Sequence, residues 1–236
     1  MTLDHTATTI GSRTLSNQTL SRADIHRLIG ESDEPLHFQD CDLEGADLAR
    51  LELRGATFER CVIVETSFFG ASLAQTRWIR CRAREADFGS ADLVDATFQS
   101  SDLNNTSWRR AKLGSARFKE CKLTGANIED CATLGLEFVE TLLVGAHLRR
   151  LSFRKATLKN LDFSDADLAG ADFRDAIFEG GSLRNAQLTD ARFDGADLRG
   201  VDLSGVRLVD AGLFRGATIS SQQAAALVTE LGLRVV

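Results

Sequence analysis

The chain has 236 residues, with 28 Lys and Arg against 34 Asp and Glu, and a formal net charge of −6. That length suits one domain or two small ones, and the acidic balance argues against direct nucleic-acid binding through a conventional basic surface. No apolar run approaches the roughly 18 residues of a membrane span. The first residues, MTLDHTATTIGSRTLSNQ, lack the basic and apolar segments of a secretory leader, so a cytoplasmic protein without membrane contact is expected.

Residues 1–35 read as an N-terminal arm, disordered over 1–12. Ser21 with Asp24, followed by Ile25, Leu28, Ile29 and Gly30, predicts a short capping helix over 22–29. Leu15, Leu20 and Ile25 are also five apart, so extra repeats compete with the helix. Loss of register across 30–35 favours the helix.

From Phe38 onward every fifth residue is large and apolar: Phe38, Leu43, Leu48, Leu53, Phe58, Ile63, Phe68, Leu73, Trp78, and so on to Leu208 and Leu213. Only Ala83 and Thr133 interrupt the series. Neither a helix of period 3.6 nor a plain strand of period 2 generates this pattern. Two residues before each member sits a second ordered position, mostly small, such as Ala46, Ala56, Ala71 and Ala86. Residues two apart on an extended chain point the same way, so both positions face inward. A polar residue between them faces water, and the last two residues of each five turn a corner, where Gly is frequent.

The cysteines set the number of sides. All five occupy the small inward position, and Cys41, Cys61, Cys81 and Cys121 are spaced by 20 or a multiple of it. A 20-residue step also aligns Phe38, Phe58, Trp78, Phe98, Phe118 and Phe138. The expected fold is therefore all-β, a right-handed four-sided β-solenoid over 36–215 with short helical caps. It should have about nine coils and, at roughly 4.8 Å per coil, a length of about 43 Å. Rings stacked down a dry wall would leave a phenol hydroxyl without a partner, which accounts for Phe being used and Tyr avoided. The one proline, Pro35, precedes the first coil and removes no ladder bond.

The repeat resembles the pentapeptide repeat family, whose unit reads A(D/N)LXX. The better matches are Ala46-Asp47-Leu48, Ala91-Asp92-Leu93, Ala126-Asn127-Ile128, Ala166-Asp167-Leu168, Ala171-Asp172-Phe173 and Ala196-Asp197-Leu198.

Residues 216–236 read as a C-terminal cap. Ser220 and Gln223 have capping-box spacing, and Ala224, Leu227, Val228 and Leu231 follow at i, i+3, i+4 and i+7 before Gly232. This predicts an amphipathic helix over 221–231 and a short strand over 233–236. The helix either simply caps the solenoid or also forms a twofold dimer contact. The candidate dimerisation residues are Phe214, Ala224, Leu227, Val228, Leu231 and Leu233.

Motifs for chemistry are missing. There is no Gly-rich phosphate loop, no HExxH and no nucleophile elbow. The cysteines read as buried thiols in small inward slots, and the four histidines are scattered. No catalytic residue, metal or cofactor is expected, and the chain does not read as an enzyme.

Charge is banded along the sequence: −2 over 1–35, −5 over 36–105, +6 over 106–160, −6 over 161–212 and +1 in the tail. If two rods meet at their C-terminal caps, the acidic thirds form a central band on a rod of about 100 Å. Such a rod could enter a DNA-binding groove, which attracts negative charge. Gln223-Ala224, Leu227 and Leu231-Gly232-Leu233 are similar to the endings of the Qnr and MfpA proteins, as is Phe38-Gln39-Asp40-Cys41-Asp42-Leu43 near the start. That resemblance implies a dimeric DNA mimic that binds DNA gyrase or topoisomerase IV and protects it from quinolones or gyrase poisons. The register, unbroken from 36 to 215, leaves no room for the projecting loops of some Qnr members. The basic band differs from a uniformly acidic mimic and suits an acidic partner surface.

The candidate partner-binding residues are the outward acids of the last third: Asp162, Asp165, Asp167, Asp172, Asp175, Asp190, Asp194, Asp197 and Asp202. The competing reading is a structural or protein-interaction scaffold with no topoisomerase role. Its contact patch would include outward apolar residues such as Val64, Phe69, Ile79, Leu134, Val139 and Val144.

Overall fold

The computed structural model describes residues 13–206, 212–230 and 232–234. Short extended segments alternate inward and outward side chains, and each inward pair packs against the coil before and after it. Nine short strands form one parallel sheet in sequence order: β1 (Arg13–Ser16), β2 (Leu36–Gln39), β3 (Thr57–Glu59), β4 (Arg77–Ile79), β5 (Thr97–Gln99), β6 (Arg117–Lys119), β7 (Glu137–Val139), β8 (Thr157–Lys159) and β9 (Ile177–Glu179). From β2 to β9 each residue pairs with the one 20 positions on, as in Phe38↔Phe58↔Trp78. The same step recurs as isolated parallel bridges on three further sides, at Asp42↔Val62, Asp47↔Ser67 and Glu52↔Ser72. The architecture is therefore the expected four-sided β-solenoid. The strands lie on wall 1, and walls 2, 3 and 4 follow in chain order.

Two local devices turn the chain. The last residue of many five-residue sides has positive φ, at glycines such as Gly45 (63°) and also at Arg50 (58°) and Arg60 (53°). Glycine is thus preferred at corners rather than required. The polar residue between the inward pair caps its own corner: Asp42 Oδ1 accepts the Glu44 N–H at 3.0 Å, and Asp47 Oδ1 the Ala49 N–H at 3.0 Å. Asp, Asn and Ser offer this short-range bond readily, which is why the repeat favours them.

The core is a column of stacked rings. On wall 1, Phe38–Phe58 and Phe58–Trp78 have centroids 4.8 and 4.0 Å apart, nearly parallel. Phe68, Phe88 and Trp108 stack on wall 3 and meet the wall 1 rings edge to face. Beyond Phe138 the stack moves to wall 4, with Phe153, Phe173 and Phe193 at 4.9 and 4.8 Å. Each ring pair adds about 0.5–1.5 kcal/mol to its area burial.

Both competing readings of the N-terminal arm hold in part. Helix α1 (Arg22–Glu31) forms, with a capping box between Ser21 and Asp24, and buries Ile25. Ahead of it β1 adds to the sheet, placing Leu15 beside Phe38, and Leu20 is buried against the first coil. The offset here is 23 residues rather than 20, because α1 leaves the coil path. Arg22 Nη1 donates to the Asp47 and Ala49 carbonyls at 2.9 Å each, covering edge acceptors that have no coil beneath them. The expected disorder of 1–12 lies outside the described residues.

The C-terminal end corrects the expected register. Through Phe173 the ladder bonds span 19 residues, as from its own N–H to the Arg192 carbonyl, but the Phe193 N–H reaches Leu213, 20 residues on. Phe214, not Leu213, stacks on Phe193 at 4.7 Å, and Thr218 bridges Asp197. One extra residue has entered between Val206 and Phe214, so the ninth coil is offset. The fivefold series ends in register at Leu203; Leu208 lies outside the described residues. Helix α2 (Ser221–Glu230) follows. No strand forms over the described residues 232–234, and Leu231 and 235–236 lie outside them.

One seam between coils departs from the ladder. Ile128 N–H still bonds the His147 carbonyl at 3.0 Å, and Glu140 N–H the Lys159 carbonyl at 2.9 Å. Between these points, no backbone hydrogen bond links 130–136 with 149–156 among the described residues. The β7–β8 pairing shrinks to Val139↔Lys159. The local sequence accounts for the opening. Thr133 occupies a large inward slot on wall 4 and gives Phe153 no ring to stack on, while Leu136 fills a slot meant for a small residue. Phe138 and Phe153, the ends of the two ring columns, meet tilted at 6.4 Å and 47°.

Candidate partner interface

The nine outward acids lie on all four walls, and the fold does not gather them on one face. Asp162 and Asp202 are on wall 2, Asp167 on wall 3, Asp172 and Asp194 on wall 4, and Asp197 on wall 1. Asp165, Asp175 and Asp190 occupy corners with φ of 58°, 58° and 59°.

Most of these carboxylates also serve the backbone. Asp162, Asp167, Asp172, Asp197 and Asp202 each accept the N–H two residues on, at 2.9 to 3.2 Å. Four are in ion pairs. Arg174 forks onto Asp172 and Arg199 onto Asp197, each with a contact of 2.6 Å, and these guanidiniums hold both carboxyls below their ordinary range. Arg149 lies 3.5 Å from Asp167, and Arg192 lies 3.6 Å from Asp194. The Ser204 hydroxyl, donating at 2.6 Å, likewise lowers Asp202. The Asp-x-Arg spacing at Asp172 and Asp197 was readable as pairing, because residues two apart share a face. Asp162, Asp165, Asp175, Asp190 and Asp202 have no ion-pair partner among the described residues, and the three corner acids are exposed.

At the C-terminal cap, Ser220 and Gln223 form the expected box, with the Ser220 N–H donating to Gln223 Oε1 at 2.7 Å. Gln223 Nε2 then donates to the Leu198 and Val201 carbonyls at 2.7 Å each, closing the last coil's edge. Among the candidate dimerisation residues, Phe214 and Leu227 are partly buried against the core, Ala224 and Val228 are half-buried, and Leu233 is 58% exposed. Leu231 lies outside the described residues.

All five thiols are free. Burial pushes Cys121 and Cys131 up to about 11, which suits packing rather than reactivity. No helix among the described residues is long and apolar enough to cross a membrane.

Family models for a pentapeptide repeat region match residues 35–108 and 71–148, and a model of pentapeptide repeats in eight copies matches 137–170 and 166–205. The chain belongs to the pentapeptide repeat family. Among solved structures, this pentapeptide repeat protein is similar to trypsin-treated QnrB1, a plasmid-mediated fluoroquinolone resistance protein, with a TM-score of 0.73 and 24% identity. That match covers 83% of this chain and 97% of the other. Full-length QnrB1 matches at a TM-score of 0.62 and 21% identity, over 94% and 98% of the two chains. HetL from the cyanobacterium Nostoc sp. strain PCC 7120, a pentapeptide repeat protein involved in heterocyst differentiation regulation, matches at 0.50 and 22%, over 81% and 91%. No curated sequence matches significantly.

Proposed function

We propose that this protein is a non-enzymatic DNA mimic that binds a type II topoisomerase, DNA gyrase or topoisomerase IV, and protects it from quinolones or gyrase-poisoning toxins. The observation that carries the reading is the match to QnrB1 along 97% of that chain, which includes the rod's length and both ends. The charge distribution supports it, because duplex DNA presents phosphate on every side and the acids of 161–206 likewise surround the rod. Asp162, Asp165, Asp175, Asp190 and Asp202 keep charge that no intramolecular ion pair neutralises, and they are the phosphate surrogates in this reading. A homodimer through α2, Phe214 and Leu233 would set two such acidic thirds end to end.

The scaffold reading has its own support in the exposed apolar residues Leu134, at 90%, and Phe69, at 37%. A supercoiling assay separates the two. Titrating the protein into gyrase with a fluoroquinolone present should restore supercoiled product. No rescue and no inhibition at micromolar protein would leave the scaffold reading standing.

A further inference from the structure

The open seam leaves two backbone edges facing each other without partners. The Thr133 and Gly135 N–H groups, whose register equivalents Leu113 and Ser115 bond the Ala132 and Leu134 carbonyls at 2.8 Å, make no hydrogen bond. Across from them, the Ser152 N–H also makes none. Between the edges lies a cleft of about 780 Å³, lined by Leu134, Leu136, Phe138, Phe153, Leu158 and Arg154 among others. Leu134 is exposed at its mouth.

We propose that this seam is a docking groove for an extended peptide segment of a partner protein, in which apolar side chains alternate with acidic ones. Three observations select that occupant. Donors and acceptors spaced along an extended backbone are matched by another extended backbone, the recognition mode in which a strand adds to a free edge. The apolar floor takes alternate side chains of such a strand, since successive side chains point to opposite faces. The remaining side chains turn outward to Arg154, with Arg150 and Lys155 nearby; none of the three has an ion-pair partner among the described residues. The acid on the rim, Glu137, is already paired with Arg117 at 3.0 Å, so the rim is cationic and favours acidic residues. The groove sits within the basic band and is independent of the gyrase reading.

The test uses the full chain and an end-blocked, fluorescein-labelled hexapeptide alternating valine and aspartate. Anisotropy should show saturable binding that weakens at least about tenfold in Arg154→Glu and in Leu134→Asp, and for a valine–lysine peptide. Both substituted residues are exposed, so the fold survives the changes. Hydrogen exchange should show the Thr133, Gly135 and Ser152 amides slowed by the peptide, with Leu113 and Ser115 unchanged. No binding up to about 1 mM, a free energy weaker than about −4 kcal/mol, would overturn the proposal. So would equal binding of the lysine peptide, or protection that appears on concentrating the protein alone, which would make a second copy the occupant.

Discussion

The two tryptophans show how the core admits a polar atom. Trp78 and Trp108 are fully buried, and each indole N–H donates to a threonine hydroxyl two residues earlier, Thr76 at 2.9 Å and Thr106 at 2.7 Å. Each hydroxyl passes its own proton to a backbone carbonyl, of Leu73 or Leu103, at 2.7 Å. The small inward slot thus supplies the partner that the neighbouring large slot needs. A Thr106→Val substitution keeps the shape but leaves the Trp108 N–H unpaired, and should lower unfolding free energy by about 1–3 kcal/mol in urea denaturation. An unchanged midpoint would mean that the indole finds another partner. At this scale the inward slots were legible, because five-residue spacing admits no other arrangement. The work done by outward Asp was not. The same letters serve as corner caps, as ion-pair partners of Arg174 and Arg199, and as free charge, and only geometry separates these uses.

At the scale of elements, the ends decide how the rod terminates. Arg22 from α1 and Gln223 from α2 perform the same task at opposite ends, donating to edge carbonyls that a further coil would otherwise satisfy. Removing the amide in Gln223→Ala takes away two such bonds and half of the capping box. The expected cost is about 1–3 kcal/mol, with the amides of α2 exchanging before those of β2–β6. Unchanged exchange in α2 would show that its apolar contacts alone hold it. Both helices were legible from capping pairs and apolar spacing. The one-residue slip before Phe214 was not, because Leu213 and Phe214 are both apolar and either satisfies the period. The ring of Phe193, which needs a flat partner, selects Phe214. Likewise Leu15 and Leu20 satisfied the repeat and Ile25 the helix, and the chain uses each for its own element.

At the scale of the whole molecule, the rod is two ring columns joined at a weak seam. The N-terminal coils stack rings on walls 1 and 3, the C-terminal coils on wall 4, and the hydrogen-bond ladder opens where the columns exchange at Thr133. The interruption at Thr133 was visible in the sequence. Its consequence was not, since Ala83 interrupts the same series while its ladder bond to Asp102 holds at 2.7 Å. Surface charge follows the same division, with the basic band spanning the seam and the acidic third lying beyond it.

The central claim, that the acidic end stands in for DNA, is tested most directly by competition on purified gyrase. The protein and a linear duplex should exclude each other. Replacing the unpaired corner acids, in Asp165→Asn, Asp175→Asn and Asp190→Asn together, should weaken gyrase binding at least about tenfold without unfolding the rod. Simultaneous binding of rod and duplex, or undiminished binding by the triple variant, would contradict it.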